Sequence, residues 1–240
     1  MLKKKLYMQT PKEYEGSLTE KKKLTDNLSL FTITIPDLSF SFAAGQFMML
    51  SMTQDRGLAR AFSICSGPEK KNELEFCMKI NYPSVLSEKL EHAPLETKVY
   101  VKGPFGGFKL QPVTKDIVFI AGGTGIAPLR SMLHEVVRQK VTVEIWCFYR
   151  FKTEEEYLFK EELEALAKKN KKFHLIPSVS LPKTAWKGET ERIQNIIAKY
   201  IKTPSAVDCY ICGPPPMVKD LMDTLPKLGF PEDAMHKEAW

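Results

Sequence analysis

DIVFIAGGTGIAPLRSMLHEVVRQ, which spans Asp116–Gln139, decides the fold. It opens on a continuous apolar run, as expected of a strand that is buried on both faces of a sheet. Apolar residues at helical spacing follow from Thr124 onwards, and Gly122, Gly123 and Gly125 separate the two segments. A strand, a glycine-rich turn and a helix in this order predict one unit of a parallel α/β sheet.

The rest of the C-terminal half repeats this alternation. Three more buried strands are expected, in Val141–Tyr149, Phe173–Ser180 and Ala206–Gly213. Helices are expected after each of them, in Glu154–Asn170, Glu191–Ile201 and Pro215–Gly229. Because helices that connect strands in this way give right-handed crossovers, residues 113–240 are predicted to form a parallel-sheet α/β domain.

The N-terminal half has a different pattern. Short segments rich in β-branched and aromatic residues recur between turn residues, in Leu28–Ile35, Gly45–Met52, Arg60–Ser66, Glu73–Ile80 and Lys98–Gly103. Regular short strands of this kind predict an antiparallel β-barrel, with one helix in Ser84–His92. The pattern changes within Lys109–Lys115, so we expect the barrel domain to occupy residues 1–112.

Composition narrows the class of protein. The 240 residues carry a net charge of +6, and no window has the ~20 apolar residues of a membrane helix. The basic N-terminus lacks the apolar core of a signal peptide, and the five cysteines are odd in number. Both features favour a cytoplasmic protein with reduced thiols.

Lysines cluster in three runs, Lys3–Lys5, Lys21–Lys23 and Lys168–Lys172, which have two interpretations. The simpler one is a solvated surface, and the other is a basic patch that attracts an acidic partner. The runs lack interleaved aromatic residues, and the chain has no nucleic-acid module signature, which argues against nucleic-acid binding.

The segment AGGTGIAP, Ala121–Pro128, is the first candidate site. Its glycines allow a tight turn and a close approach of the backbone to a ligand. The helix that follows has unpaired N–H groups and a positive dipole end, which suit a pyrophosphate. The alternative is a tight strand-to-helix turn without a ligand. The spacing is not G-x-G-x-x-G, so the usual dinucleotide fingerprint does not apply.

The segment CGPPPMV, Cys212–Val218, is the second candidate. It follows the last expected strand and therefore lies at the carboxyl edge of the sheet, where such folds bind ligands. The alternative is a stiff turn beside a buried cysteine. Cys209 and Cys212 form C-x-x-C, but no second pair exists elsewhere, so a metal site is disfavoured.

The segment RAFSI, Arg60–Ile64, is the third candidate and lies in the barrel half. Arg60 and Phe62 share one face of the expected strand, and Ala61 and Ser63 share the other. An arginine in such an apolar neighbourhood requires an anionic partner. That partner is either a carboxylate or a ligand phosphate.

Taken in order, these segments resemble the ferredoxin–NADP(+) reductase-like flavoprotein reductases over nearly the whole chain. RAFS is similar to the family's R-x-Y-S flavin motif, and SVLSEKL to the turn and helix that meet the flavin pyrophosphate. GPFGGF resembles its G-P-F-G loop, and GGTGIAP and CGPPPM resemble its two nicotinamide-nucleotide motifs. WKGETERI and the terminal EAW are similar to its W-x-G segment and its E-x-aromatic ending. Two residues depart from the pattern: Phe62 stands in place of a tyrosine and Ser84 in place of a glycine.

The resemblance implies roles for individual residues. On the flavin side it implies that Arg60 binds the phosphates. It also implies that Lys79 and the helix start at Ser84–Ser87 hold the rest of the cofactor. The expected flavin-side residues are Arg60, Ala61, Phe62, Ser63, Ile64, Lys79, Ser84, Ser87 and the terminal Trp240, which would lie against the flavin ring. The expected nicotinamide-side residues are Gly122, Gly123, Thr124, Gly125, Arg150, Ser180, Cys212, Gly213, Pro214 and Met217.

The resemblance also implies the reaction. Reduced nicotinamide would pass hydride to FAD, which is favoured over FMN, and single electrons would then go to a separate acceptor. Ser63, Cys212 and Glu238 would form the catalytic constellation, with Glu238 directed towards Ser63.

The sequence also bears on the choice between NADH and NADPH and on the electron acceptor. NADH is favoured over NADPH, because Leu181 follows Ser180 where NADPH users often carry an arginine, although Arg150 and Lys183 are near. The acceptor is expected to be an acidic protein such as a ferredoxin, a flavodoxin or an oxygenase component. The alternatives are a flavin or ferric reductase that acts on small acceptors, and an electron-transfer subunit of a larger complex.

Overall fold

The computed structural model describes residues 10–37, 39–54, 59–70, 72–80 and 85–239. The chain divides into two compact units, Met1–Gly107 (unit 1) and Phe108–Trp240 (unit 2). The expected domain boundary after residue 112 lies a few residues further along the chain. Gln111 is tied to unit 2, because its backbone N–H donates to the hydroxyl of Tyr210 over 3.0 Å. Ser84 and Trp240 fall outside the described residues.

The described residues of unit 1 form an antiparallel sheet of six strands and one helix. The strands are β1 (Lys12–Thr25), β2 (Leu28–Thr34), β3 (Phe47–Ser51), β4 (Arg60–Ser63), β5 (Glu73–Lys79) and β6 (Lys98–Phe105), and the helix is α1 (Val85–His92). They are ordered β4-β3-β6-β1-β2-β5. The two edge strands approach each other, since the Cys65 N–H donates to the Glu75 carbonyl over 2.9 Å. The expected antiparallel barrel is therefore confirmed as a nearly closed sheet.

The inward residues of these strands form one apolar core. Leu18, Phe31, Met48, Leu50 and Phe76 are fully buried and alternate with outward residues along their strands. Burying apolar side chains of this size stabilises a fold by roughly 1.5–3 kcal/mol each. The core therefore holds β1, β2, β3 and β5 together, and Phe62 of β4 packs against it.

Strand β1 was not among the expected strands, although its 14 residues pair with both β2 and β6. Its sequence, KEYEGSLTEKKKLT, is mostly charged, and only two of its positions are buried. On its exposed face Lys98 pairs with Glu15 over 2.8 Å and Lys102 with Glu13 over 3.3 Å. Cross-strand ion pairs replace the apolar alternation that marks the other strands.

Unit 2 is a parallel five-stranded sheet, which confirms the expected α/β class. Its strands are β7 (Asp116–Gly122), β8 (Ile145–Phe151), β9 (Phe173–Val179), β10 (Val207–Gly213) and β11 (Met235–Ala239), in the order β11-β10-β7-β8-β9. Its helices are α2 (Ile126–Arg138), α3 (Lys160–Lys169), α4 (Ile193–Tyr200) and α5 (Pro215–Thr224). α4 and α5 share one core with Val118, Ile120 and Phe148 of the sheet.

Two elements of unit 2 differ from the sequence prediction. A helix through Glu154–Asn170 was expected, but a short 3-10 turn covers Glu154–Glu156 and α3 starts only at Lys160. Phe159 breaks the helix because it takes a left-handed backbone with φ 54°. The end of the chain forms β11, which was not among the expected strands, and pairs with β10 in parallel register.

Candidate cofactor site

The two glycine-containing motifs of unit 2 pack directly against each other. A Cβ added at Gly125 would overlap the backbone carbonyl of Cys212. A Cβ at Gly122 would lie 2.6 Å from Met217 Sδ, and one at Gly213 would lie 2.7 Å from the methyl carbon of Met217. Glycine is therefore required at Gly125 by the contact between the loops after β7 and β10, whereas Gly122 and Gly213 pack against the flexible end of Met217.

Gly123 differs from its three neighbours in the motifs. It has a left-handed backbone with φ 53°, and a Cβ there would meet nothing within 4 Å. Gly123–Gly125 form a 3-10 turn that leads into α2, and no side chain caps the first turn of α2. Half-buried Thr124 lies beside this opening. The open space and the uncapped N–H groups together fit the phosphates of a dinucleotide.

Cys212 and Glu238 lie side by side at the carboxyl end of the sheet. In the parallel register Cys212 pairs with Ala121 on β7 and with Glu238 on β11. Directly paired residues of neighbouring strands point to the same face. Cys212 is fully buried, whereas Glu238 is half-exposed. Strand β11 therefore brings together two of the three residues expected to be catalytic.

Next to the glycine loop, β8 and β9 end in residues that bind protein groups. Arg150 Nη1 donates to Ser178 Oγ over 2.7 Å, to the Thr190 carbonyl over 3.2 Å and to the Glu191 carbonyl. Burial, together with the nearby charge of Arg192, lowers the pKa of Arg150. Ser180 Oγ donates to the Phe151 carbonyl over 3.1 Å.

The RAFS segment forms β4, and its burial pattern corrects one expectation. Arg60 is exposed rather than set in an apolar neighbourhood, and it is the first residue of β4, an edge strand of the sheet. Its guanidinium donates to the Ala59 carbonyl over 3.1 Å, and the residues that the structure describes place no carboxylate against it. Ser63 and Ile64, by contrast, are buried, and Phe62 is half-buried against the barrel core.

The other expected flavin residues lie where β5 leads into α1. Ser87 is fully buried, and its hydroxyl donates to the Lys79 carbonyl over 2.7 Å. The Lys79 side chain is exposed. The Ser87 hydroxyl thus joins the first turn of α1 to the end of β5, and the pyrophosphate contact expected of it remains a prediction.

The described residues contain no candidate metal-binding cluster and no candidate membrane-spanning helix. No three His, Cys, Asp or Glu side chains within them are close enough together to bind a metal ion. None of the described helices has the length and hydrophobicity that a membrane-spanning segment needs.

Comparison with known proteins assigns both units. An oxidoreductase FAD-binding domain matches residues 15–110, and an oxidoreductase NAD-binding domain matches residues 119–223. The chain belongs to the ferredoxin reductase-like FAD/NAD-binding oxidoreductases. FAD and NAD are accordingly its cofactors.

Three relatives of this oxidoreductase illustrate the range of the family. NADH-cytochrome b5 reductase 1 of Pyricularia oryzae is 29% identical over 95% of this chain and 79% of its own length. The anthranilate 1,2-dioxygenase electron transfer component of Acinetobacter baylyi is 29% identical over 74% of this chain, which spans about half (52%) of that relative. The structure of a ferredoxin NADP+ reductase from Neisseria gonorrhoeae with bound FAD and NADP is 25% identical, with a TM-score of 0.80, over 95% of this chain and 98% of its own.

Proposed function

We propose that this oxidoreductase transfers electrons from NADH, through FAD, to a separate one-electron acceptor. The observation that carries the proposal is the opening at Gly123, which faces an uncapped helix start beside Cys212 and Glu238. When bound, the two cofactors supply the redox chemistry, in which the nicotinamide gives a hydride and the flavin passes electrons on singly. The protein residues bind and orient these groups and control the protons.

In unit 2, each motif has a separate task. The N–H groups around Gly123, Thr124 and the start of α2 are proposed to hold the pyrophosphate. Cys212 and Glu238 are proposed to border the nicotinamide, with Gly213, Pro214 and Met217 shaping the loop beneath it. Half-exposed Glu238 can hold a proton near the reacting atoms, as an acid–base group must.

In unit 1, the exposed guanidinium of Arg60 is proposed to bind the flavin phosphates. Arginine binds phosphate through parallel charge-assisted hydrogen bonds, and the described residues hold no carboxylate that competes for it. Backbone groups from Ala61 to Ile64 are proposed to lie along the flavin ring, with Ser63 nearest its reacting nitrogen. Lys79, Ser84, Ser87 and Trp240 complete the proposed flavin site.

Two observations support NADH over NADPH. Leu181 is 57% exposed at the end of β9 and offers no charge to a 2′-phosphate. Arg150 Nη1 is already committed to Ser178 and to two backbone carbonyls. An exposed leucine in place of a cation forfeits the charge-assisted bonds that this position could otherwise make to a 2′-phosphate.

For the acceptor, we propose an acidic redox protein. The named relatives include a reductase for cytochrome b5 and an electron transfer component of a dioxygenase, both of which serve other proteins. The net charge of +6 favours encounter with a negatively charged partner.

Stopped-flow absorbance tests the proposal. The protein reconstituted with FAD is mixed with NADH or NADPH, and bleaching of the flavin is followed. We expect fast bleaching with a kcat/KM advantage for NADH, followed by salt-dependent reoxidation by a ferredoxin, a flavodoxin or a cytochrome. A clear NADPH advantage contradicts the cofactor preference. Fast, salt-independent reduction of free flavin or ferric chelate beside slow reaction with every protein would instead establish a small-acceptor reductase.

A further inference from the structure

Residues 180–191, here called the 180–191 loop, form a closed excursion from the sheet of unit 2. The loop leaves β9 where the N–H groups of Ser180 and Leu181 donate to the carbonyls of Phe151 and Lys152, over 3.0 and 2.8 Å. It returns at Glu189, whose carbonyl accepts from the Val179 N–H over 3.0 Å. Both of its ends are therefore fixed to β8 and β9.

Two charged side chains hold the two limbs of this loop, one from β8 and the other from the 3-10 turn that follows β8. Arg150 donates to the carbonyls of Thr190 and Glu191 on the returning limb. Glu154 accepts from the N–H groups of Lys183 and Thr184 on the outgoing limb. A cation thus binds carbonyls on one side, and an anion binds amides on the other.

Glu154 binds two adjacent residues of the outgoing limb through both backbone and side-chain hydrogen bonds. Its carboxylate accepts from the Lys183 N–H over 3.0 Å, from the Thr184 N–H over 2.9 Å and from Thr184 Oγ1 over 2.6 Å. These hydrogen bonds, led by that of the Thr184 hydroxyl, lower the pKa of Glu154 to about 2. The carboxylate is therefore ionised at every pH at which the enzyme would work.

Strand order places this loop relative to the proposed nucleotide site. Gly122, Arg150 and Ser178 pair in one row across β7, β8 and β9. Neighbouring strands are about 4.8 Å apart, so the loop starts roughly 10 Å from the glycine turn. With the nicotinamide bordered by β10 and β11 and the pyrophosphate on β7, the adenosine end must extend over β8 and β9.

We propose that Glu154 is a positioning residue for the nicotinamide nucleotide, because it holds the outgoing limb of the 180–191 loop in the shape that receives the adenosine end. The inference rests on the proposed function. The Glu154 carboxylate acts through its hydrogen bonds to Lys183 and Thr184 of the loop. If its carboxylate is lost, the loop spends less time in the competent shape, and the apparent affinity falls by that fraction. Once NADH is bound the loop is ordered, so the rate of hydride transfer is unchanged.

The substitution Glu154→Gln tests this. It keeps the size of the side chain and one acceptor oxygen but removes the charge. We expect KM for NADH to rise roughly fivefold while kcat stays the same, since hydrogen bonds to a charged group at an exposed site contribute a factor of this order. Thr184→Val removes one of the three donors and is expected to give a smaller rise.

Glu155→Gln is the matched control. Glu155 is the next residue, and it pairs with the Nζ of Lys183 over 3.3 Å on an exposed surface. Glu155 makes no described hydrogen bond to the backbone of the 180–191 loop. The KM of the Glu155→Gln variant for NADH should therefore stay within about twofold of the wild-type value. An equal rise in both variants would show a general effect of surface charge and would overturn the proposal.

Cleavage by trypsin after Lys183 gives a readout that is independent of turnover. Glu154→Gln should accelerate this cleavage, and saturating NADH should protect the wild type and the variant alike. Faster cleavage with an unchanged KM would mean that the loop is held but does not receive the cofactor, which overturns the inference while wild-type bleaching upholds the proposed function. A wild type that NADH neither bleaches nor protects would overturn both.

Discussion

In unit 2 the two motifs of the proposed nucleotide site are in contact with each other, through Gly125 and the carbonyl of Cys212. In unit 1 the arginine of the flavin motif is exposed and makes a described hydrogen bond only to the carbonyl of its own neighbour, Ala59. The proposed nucleotide site is thus shaped by protein packing, whereas the proposed flavin site presents an exposed charge that a bound phosphate would pair with. We therefore expect mutations in the unit 2 motifs to alter folding and mutations of Arg60 to alter cofactor affinity.

The largest effect is expected for Gly125→Ala. The added Cβ would overlap the Cys212 carbonyl, which belongs to a central strand and cannot move away cheaply. Overpacking of this kind costs about 1–3 kcal/mol of the free energy of unfolding. All three tryptophans lie in unit 2, so tryptophan fluorescence during urea unfolding measures this unit.

Gly107→Ala is the control for that experiment, because a Cβ at Gly107 would meet nothing within 4 Å. It should leave the urea midpoint unchanged. If Gly125→Ala behaves in the same way, the contact between the two motifs does not shape the nucleotide site, and the contrast between the units disappears.

The next effect is expected for Arg60→Ala in unit 1. Loss of charge-assisted bonds to phosphate should weaken FAD binding roughly 10- to 100-fold. Because Arg60 is exposed, the stability of the flavin-free protein should not change. Titration of the apoprotein with FAD measures the affinity, and Lys98→Ala, which removes another exposed cation of unit 1, should bind FAD normally. A destabilised Arg60→Ala protein would mean that the arginine has a structural role.

Glu238→Gln tests the acid–base role proposed for this residue of β11. If Glu238 holds a proton near the flavin, its amide variant should slow flavin reduction or reoxidation about tenfold, which is below the full range of acid–base catalysis because water can substitute in part. Stopped-flow traces at several pH values separate the two half-reactions. Unchanged rates and pH profiles for both would remove Glu238 from the mechanism.

Much of the fold could be predicted from sequence, and the exceptions have physical causes. Buried parallel strands such as β7 are apolar throughout, so their pattern is unmistakable. Strand β1 is held by pairing and surface ion pairs rather than by an apolar face, which left no periodic signal. The expected helix at Glu154–Asn170 has good helix formers, but the left-handed backbone at Phe159 interrupts it. Local propensity cannot report such a tertiary constraint.

The candidate site was predictable as a set of segments but not as a set of roles. The sequence shows four similar glycines in the two motifs. Only the structure distinguishes Gly123, which faces open space, from the three that pack against neighbouring protein atoms. The contact between Glu154 and Thr184 joins residues 30 positions apart, and neither belongs to a recognised motif. A run of three glutamates, Glu154–Glu156, is most simply interpreted from sequence as a solvated surface.

The smallest effect is expected for Glu162→Gln, which removes the ion pair that joins α2 and α3 in unit 2. Buried Arg130 of α2 donates from Nε to both carboxylate oxygens of Glu162 over 3.0 Å, and Nε2 of His134 lies 2.8 Å from the same group. Burial raises the pKa of Glu162, but the hydrogen bonds from His134 and Arg130 outweigh it and hold the pKa at about 2.

A carboxyl group whose pKa is depressed by folding stabilises the protein above its unfolded pKa of 4.5 and loses that contribution as the pH falls towards 2. The stability gap, meaning the difference in the free energy of unfolding between wild type and Glu162→Gln, should therefore have its largest value at pH 6. It should decrease steadily between pH 4.5 and pH 2. Urea unfolding of both proteins across this range measures the gap. Exposed Glu161, also in the first turn of α3, is the control for charge at a helix start, and Glu161→Gln should cost only a few tenths of a kcal/mol. A gap for Glu162→Gln that is independent of pH would show that the side chain contributes by packing alone, and that the ion pair does not hold the two helices together.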